Sequence, residues 1–136
     1  EGKTRTVVEL LKRVWLEEGK EFLFVSWPSW QNRLDASHRY GGSGRLQEME
    51  PLLRVQLLAL DDIGKGKVNE NVVTSFFSLV DHRTSRGQPI LLTSKYGLAR
   101  AEGSGLEKRL AEGSPDVARD ICRRLCEFCF NSPFTL

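Results

Sequence analysis

The sequence predicts a layered α/β fold, a mostly parallel sheet flanked by helices, and three observations lead there. Short apolar runs rich in β-formers occur at residues 21–26, 54–60 and 90–94. Between them lie longer segments whose apolar residues recur at helical spacing. Gly, Pro, Ser and Asp punctuate the junctions. Strands alternating with helices pair in parallel through right-handed crossovers, and 136 residues suffice for one domain with its own core.

The elements follow in order. Residues 4–18 carry Val7, Val8, Leu10, Leu11, Val14 and Trp15 at helical spacing, and Gly19 supplies a C-terminal stop. Residues 21–26 form a continuous apolar run, a buried strand, and Pro28 then marks a turn or helix start. The stretch 30–40 is polar and basic, and the hinge Gly41-Gly42-Ser43-Gly44 leads to a helical segment at 45–53. The clearest strand, 54–60, runs directly into Asp61-Asp62. After a Gly-Lys-Gly loop, residues 70–83 present Val72, Val73, Phe76, Phe77, Leu79 and Val80 as an amphipathic helix. Gly87-Gln88-Pro89 resets the chain for a third strand at 90–94. Helices at 106–111 and 116–126 flank a Gly-Ser-Pro break, and an apolar stub, Phe128-Cys129-Phe130, follows.

Composition narrows the function classes. Apolar content of 40% and charged content of 28% describe a folding chain, not a disordered one. A net charge of +2 permits a nucleic-acid partner only through a local cluster of cations. No apolar run approaches the roughly 18 residues that span a bilayer, and no signal-peptide layout opens the chain, so no membrane partner and a cytoplasmic location are expected. Cys122, Cys126 and Cys129 are odd in number, which argues against a disulfide framework. Their spacing can hold three corners of an iron–sulfur cluster, but it also places all three on one helix face, where free Cys acts as a small core residue.

Two places carry chemistry. Gly2-Lys3-Thr4, running into a helix, matches the second half of G-x-x-x-x-G-K-[ST], a loop that cradles phosphates with backbone N–H groups and uses its Lys on phosphate and its hydroxyl on Mg²⁺. Alone, those three residues read like the start of any solvated helix. Asp61-Asp62 ends an apolar strand, the edge at which open α/β sheets bind ligands. An acid pair there either caps a turn or handles Mg²⁺ and an attacking water.

Together they support a resemblance. The stretch LLALDDIGKGKVNENVVTSFFSLVDHRTSRGQPILLTSK, with its strand-end acids, its R-x-x-x-x-x-P turn from Arg83 to Pro89 and its T-S strand end, resembles AAA+ helicase loaders of the DnaC type and the related IstB transposition helper ATPases. The likeness runs from Gly2 to about Phe130 and is strongest over 57–94. It implies a three-layer P-loop NTPase (AAA+) core with ATP and Mg²⁺ as cofactors. Gly2 and Lys3 would contact phosphate, Thr4 and Asp61 would hold Mg²⁺, and Asp62 would activate water where the family has Glu. Lys95 stands where the family has a polar Asn that senses the γ-phosphate, so either Thr93 or Ser94 substitutes or sensing is altered. In VARDICRRLCEF, Arg124 matches the family's arginine finger, inserted in trans into a neighbouring subunit of a homo-oligomer, and Arg123 is the one-residue-shifted alternative.

The segment SWPSWQNRLDASHRYGGSGR mixes Trp30 and Tyr40 with Arg33, Arg39 and Arg45. Aromatic rings stack on unpaired bases and cations follow phosphates, so the mixture suits single-stranded DNA. By position it also matches the segment that lines a DNA-gripping pore in the resembled family. The expected function is a replicative-helicase loader. An IstB-type helper with a transposase partner, or a module of this fold that binds without hydrolysis, are the alternatives. The resemblance further implies an N-terminally incomplete core, with the first strand and the loop's earlier glycines upstream of Glu1; without that strand, neighbouring strands keep unpaired backbone groups.

Overall fold

The computed structural model describes residues 2–39, 43–98 and 103–128. The Tyr40 and Gly41-Gly42 part of the hinge and the Cys129-Phe130 end of the apolar stub lie outside these. In chain order the elements are α1 (Gly2–Glu18), β1 (Phe22–Ser26), α2 (Trp27–His38), α3 (Ser43–Arg54), β2 (Leu57–Asp61), α4 (Glu70–Ser85), β3 (Ile90–Leu92), α5 (Gly105–Leu110) and α6 (Pro115–Phe128).

The strands form one parallel sheet in the order β1-β2-β3, with Phe24 opposite Ala59 and Ala59 opposite Leu91. Side chains alternate across it. Leu23, Val25, Leu58, Leu60, Ile90 and Leu92 join the large core with the apolar faces of α2 to α6. Phe22, Phe24, Leu57, Ala59 and Leu91 face the other way, against Val7 and Leu11 of α1. The result is three layers, as the sequence predicts. No gap separates the three strands; the outer edges of β1 and β3 have no partner strand among the described residues.

Local chemistry explains the boundaries. Gly19 takes φ +62°, a left-handed turn that ends α1, and its N–H bonds the Trp15 carbonyl. The Ser26 hydroxyl accepts from the Ser29 N–H and Pro28 occupies the first turn, so α2 starts directly from the strand end. Asn69 caps α4 by accepting the Val72 N–H at 2.9 Å. β2 begins at Leu57, not residue 54, because α3 continues through Arg54. Arg83 secures that junction. It is fully buried and donates to the carbonyls of Leu52, Val55, Gln56 and Pro89 at 2.9, 2.8, 3.2 and 2.5 Å. The R-x-x-x-x-x-P signature is therefore a structural clamp, one cation tying the end of α4 to the entries of β2 and β3.

One expectation is corrected here. Trp30 is not a base-stacking residue: it is fully buried, edge-on to Trp27 with ring centroids 5.8 Å apart, and Trp27 stacks edge-on against Phe76 at 5.2 Å. No ring face is open to a nucleotide. The cysteines follow the core reading where described. Cys122 is buried and Cys126 half-buried on α6, and no group of metal-ligating side chains occurs among the described residues.

Candidate functional site

The carboxyl ends of β2 and β3 converge on the first turn of α1. Asp61, last in its strand, is buried, and both carboxylate oxygens are occupied. Oδ2 accepts the Thr4 hydroxyl at 2.8 Å and Oδ1 accepts the Thr93 hydroxyl at 2.5 Å. The Thr93 oxygen in turn accepts the Asp62 N–H at 2.9 Å. Lys3 reaches the same place, its ammonium donating to the Ser94 carbonyl at 2.6 Å. Three segments far apart in sequence thus meet through side chains that the sequence singles out: Gly2-Lys3-Thr4, Asp61-Asp62 and Thr93-Ser94.

Asp62 adopts φ +60°, the left-handed region that Asp tolerates better than most residues. Its side chain is 42% exposed, with the Lys65 ammonium 3.8 Å from Oδ2. The strand-end hydroxyls have local duties. Thr93 bridges the two acids, and Ser94 donates to the Ile63 carbonyl at 2.7 Å while accepting the Tyr96 N–H at 3.1 Å. Lys95 is exposed, its ammonium 5.3 Å from the centroid of the Tyr96 ring.

Two residues near the acids carry no signal in the sequence. Arg109 Nε donates to the Gly64 carbonyl at 2.7 Å, and its guanidinium lies 5.6 Å over the Tyr96 ring. Only the spacing to Glu112, an ion pair at 2.8 Å, is legible beforehand, and that pair points to nothing beyond its own segment.

The remaining candidates lie elsewhere. Arg124 pairs with Asp81 at 3.1 Å, donates to Thr84 at 3.4 Å and stacks over Phe128 at 5.4 Å. Arg123, beside it on α6, is exposed. Arg33, Arg39 and Arg45 are all exposed around the α2–α3 connection, with Arg33 held 3.6 Å from Glu48. Tyr40 lies outside the described residues and Trp30 is core, so among the described residues this patch presents its cations alone.

The donor set suits a phosphate–Mg²⁺ group. A hydroxyl and a carboxylate in contact are hard oxygen ligands of the kind Mg²⁺ takes. The N-terminus of a helix favours anions, and Lys3 adds a full positive charge beside it. Among the described residues no helix is long and apolar enough to cross a membrane.

No protein-family model and no curated protein matches the chain. Solved structures do. DnaA from Aquifex aeolicus bound to AMPPCP aligns with a TM-score of 0.57 at 15% identity, over 77% of this chain and 30% of that one. A DNA replication initiation factor gives 0.59 at 14%, over 81% and 31%. Replication initiator DnaA bound to AMPPCP and single-stranded DNA gives 0.56 at 17%, over 79% and 30%. The chain thus spans about a third of the length of these neighbours. At such identities the likeness carries the fold: a parallel sheet flanked by helices, the α/β fold of the AAA+ P-loop ATPases.

Proposed function

We propose that this chain is the core of an AAA+ ATPase of DNA replication, which binds ATP·Mg²⁺ and uses it to control a grip on single-stranded DNA. The observation that carries this reading is the Thr4–Asp61–Thr93 hydrogen-bonded chain beside Lys3 at the start of α1. In this reading Gly2 and Lys3 meet the phosphates, Thr4 and Asp61 hold Mg²⁺, and Asp62 orients the attacking water. Bound Mg²⁺ would supply charge neutralisation on the transferring phosphoryl group. The solved neighbours support both ligand classes, since one is bound to AMPPCP and another to AMPPCP and single-stranded DNA. The resemblance to DnaC-type loaders adds a replicative helicase as partner, and that to IstB helpers a transposase.

Hydrolysis and binding by the full-length protein test the proposal. Lys3→Ala and Asp61→Asn are each expected to lower ATP turnover by about a hundredfold, a typical effect of removing charge stabilisation at a reacting centre. Turnover by Lys3→Ala equal to that of the unsubstituted protein would remove the ATPase reading. For DNA, Arg33→Ala, Arg39→Ala and Arg45→Ala should each flatten the log–log salt dependence of single-strand affinity by about 0.7 if each neutralises one phosphate.

A second reading has one observation in its favour. Thr93 and Ser94 both use their hydroxyls within the chain, which leaves Lys95 in the sensing position. A module that binds ATP without turning it over fits that arrangement. Tight ATP binding with no phosphate release would select it.

A further inference from the structure

The turn that carries Asp62 is held from outside the acid site. Asp62 has φ +60° and Gly64 φ +86°, and the Lys65 N–H bonds back to the Asp62 carbonyl at 3.1 Å, so the chain makes a tight β-turn immediately after β2 with left-handed backbone at Asp62 and Gly64. For a residue with a side chain this backbone is uphill, and it persists only where its surroundings impose it. Two carbonyls of the turn are gripped in succession. Ile63 O accepts the Ser94 hydroxyl at 2.7 Å, and Gly64 O accepts Arg109 Nε at 2.7 Å. Arg109 and Tyr96 also press on the Gly64 α-carbon: a Cβ there would meet Arg109 Cγ at 3.0 Å and a Tyr96 ring carbon at 3.2 Å.

We propose that Arg109 is a positioning residue for Asp62, holding the 62–64 turn so that the carboxylate is presented to the attacking water. The role rests on the ATPase reading given above. An Arg is needed because three contacts are made at once. Nε points at the Gly64 carbonyl, Nη1 bonds Glu112, and the guanidinium plane lies over Tyr96. A Lys ammonium has one nitrogen and no plane, so it cannot replace all three. Arg109 belongs to α5, which is tied to the segment after β3 by the Leu106 N–H to Gly97 carbonyl bond and to α6 by the Arg119–Glu107 pair at 3.8 Å. The helix that bears Arg123 and Arg124 is thus joined to the acid turn through α5.

The test is steady-state ATP hydrolysis by the full-length protein carrying Arg109→Lys or Arg109→Ala, each also placed on an Asp62→Asn background. A positioning role lowers kcat by about tenfold with KM within about twofold, because substrate binding is untouched while transition-state alignment is lost. On the Asp62→Asn background the Arg109 substitutions should have no further effect, an outcome that a merely structural role would not give. Should Arg109→Ala fold poorly, Arg109→Lys keeps the charge and the aliphatic stem and carries the same comparison. Unchanged kcat in a folded Arg109→Lys protein, or an equal loss with and without Asp62, overturns the role while leaving the ATPase reading standing. Absence of both nucleotide binding and hydrolysis in the unsubstituted protein overturns that reading, and the role with it.

Discussion

Thr93 uses its hydroxyl twice, giving its proton to Asp61 and taking the Asp62 N–H. One atom therefore links the Asp61 carboxylate to the Asp62 backbone. In the sequence Thr93 and Ser94 are visible as a strand end, and the resemblance gives them a phosphate-sensing duty. Which way a hydroxyl points is set by the partner β2 offers across the sheet, and no pattern in 90–94 encodes that. Thr93→Val keeps the shape but orphans a part-buried N–H and a carboxylate oxygen, a loss of about 1–3 kcal/mol of local support. We expect Thr93→Val to lower ATP turnover by about tenfold or more, with Thr93→Ser close to the unsubstituted protein. Equal rates for Val and Ser would mean that the bridge has no part in turnover. Asp61 and Thr4 show the opposite case: strand-end acids and a helix-start Thr are legible because the fold class fixes where such ends meet.

At the scale of elements, α2 shows how one pattern supports two readings. Trp27, Trp30, Gln31 and Leu34 are all buried and share one helix face. That spacing is present in the sequence, but interleaved arginines also make it look like a base-stacking patch. Burial wins because the two indoles and Phe76 fill the space between α2 and α4. Trp30→Ala should cost about 3–5 kcal/mol, the usual loss for a large core aromatic. Arg33→Ala, Arg39→Ala and Arg45→Ala, on the exposed side, should stay within about 0.5 kcal/mol. Denaturant unfolding of the four proteins checks this, and a Trp30→Ala protein of undiminished stability would put the ring back in play for DNA. On α6 the helical spacing of the cysteines is the reading that holds for Cys122 and Cys126. Burial, with Glu107 and Cys126 nearby, pushes the Cys122 thiol up to about 12, against an opposing Ser104 hydrogen bond. The sign is definite. From the ordinary value of 9.0 up to about 12 the unfolded thiol ionises while the folded one stays protonated, so its contribution to stability falls as pH rises through that window and is level below it. Near neutral pH the folded thiol therefore stays protonated, and Cys122 should resist alkylation until the protein is unfolded. Prompt labelling of Cys122 in the native protein would contradict this.

For the whole molecule, the sheet order brings Lys3, Thr4, Asp61 and Thr93 together at one end of the sheet, while Arg123 and Arg124 lie on α6, away from the contacts that build that site. Arg124 is engaged by Asp81, Thr84 and Phe128 of its own chain, and no contact joins either arginine to the acids among the described residues. In the proposed reading, these arginines complete the nucleotide site of a neighbouring copy. The Arg124–Asp81 pair does not remove Arg124 from that role. With side chains 30% and 48% exposed, it is the kind of pair that contributes no more than about 1 kcal/mol, far less than a cation at a transferring phosphoryl group supplies. The double variant Arg123→Ala/Arg124→Ala and the variant Lys3→Ala should each lose about a hundredfold in turnover alone. Mixed in equal amounts they should recover turnover, because some interfaces then pair an intact site with an intact arginine donor, and activity should rise more steeply than linearly with protein concentration. The two single substitutions, mixed the same way, identify the donor: the one that needs Lys3→Ala for rescue is the finger. No recovery in any mixture, with turnover strictly proportional to concentration, would mean that each chain works alone and that these arginines serve only α6.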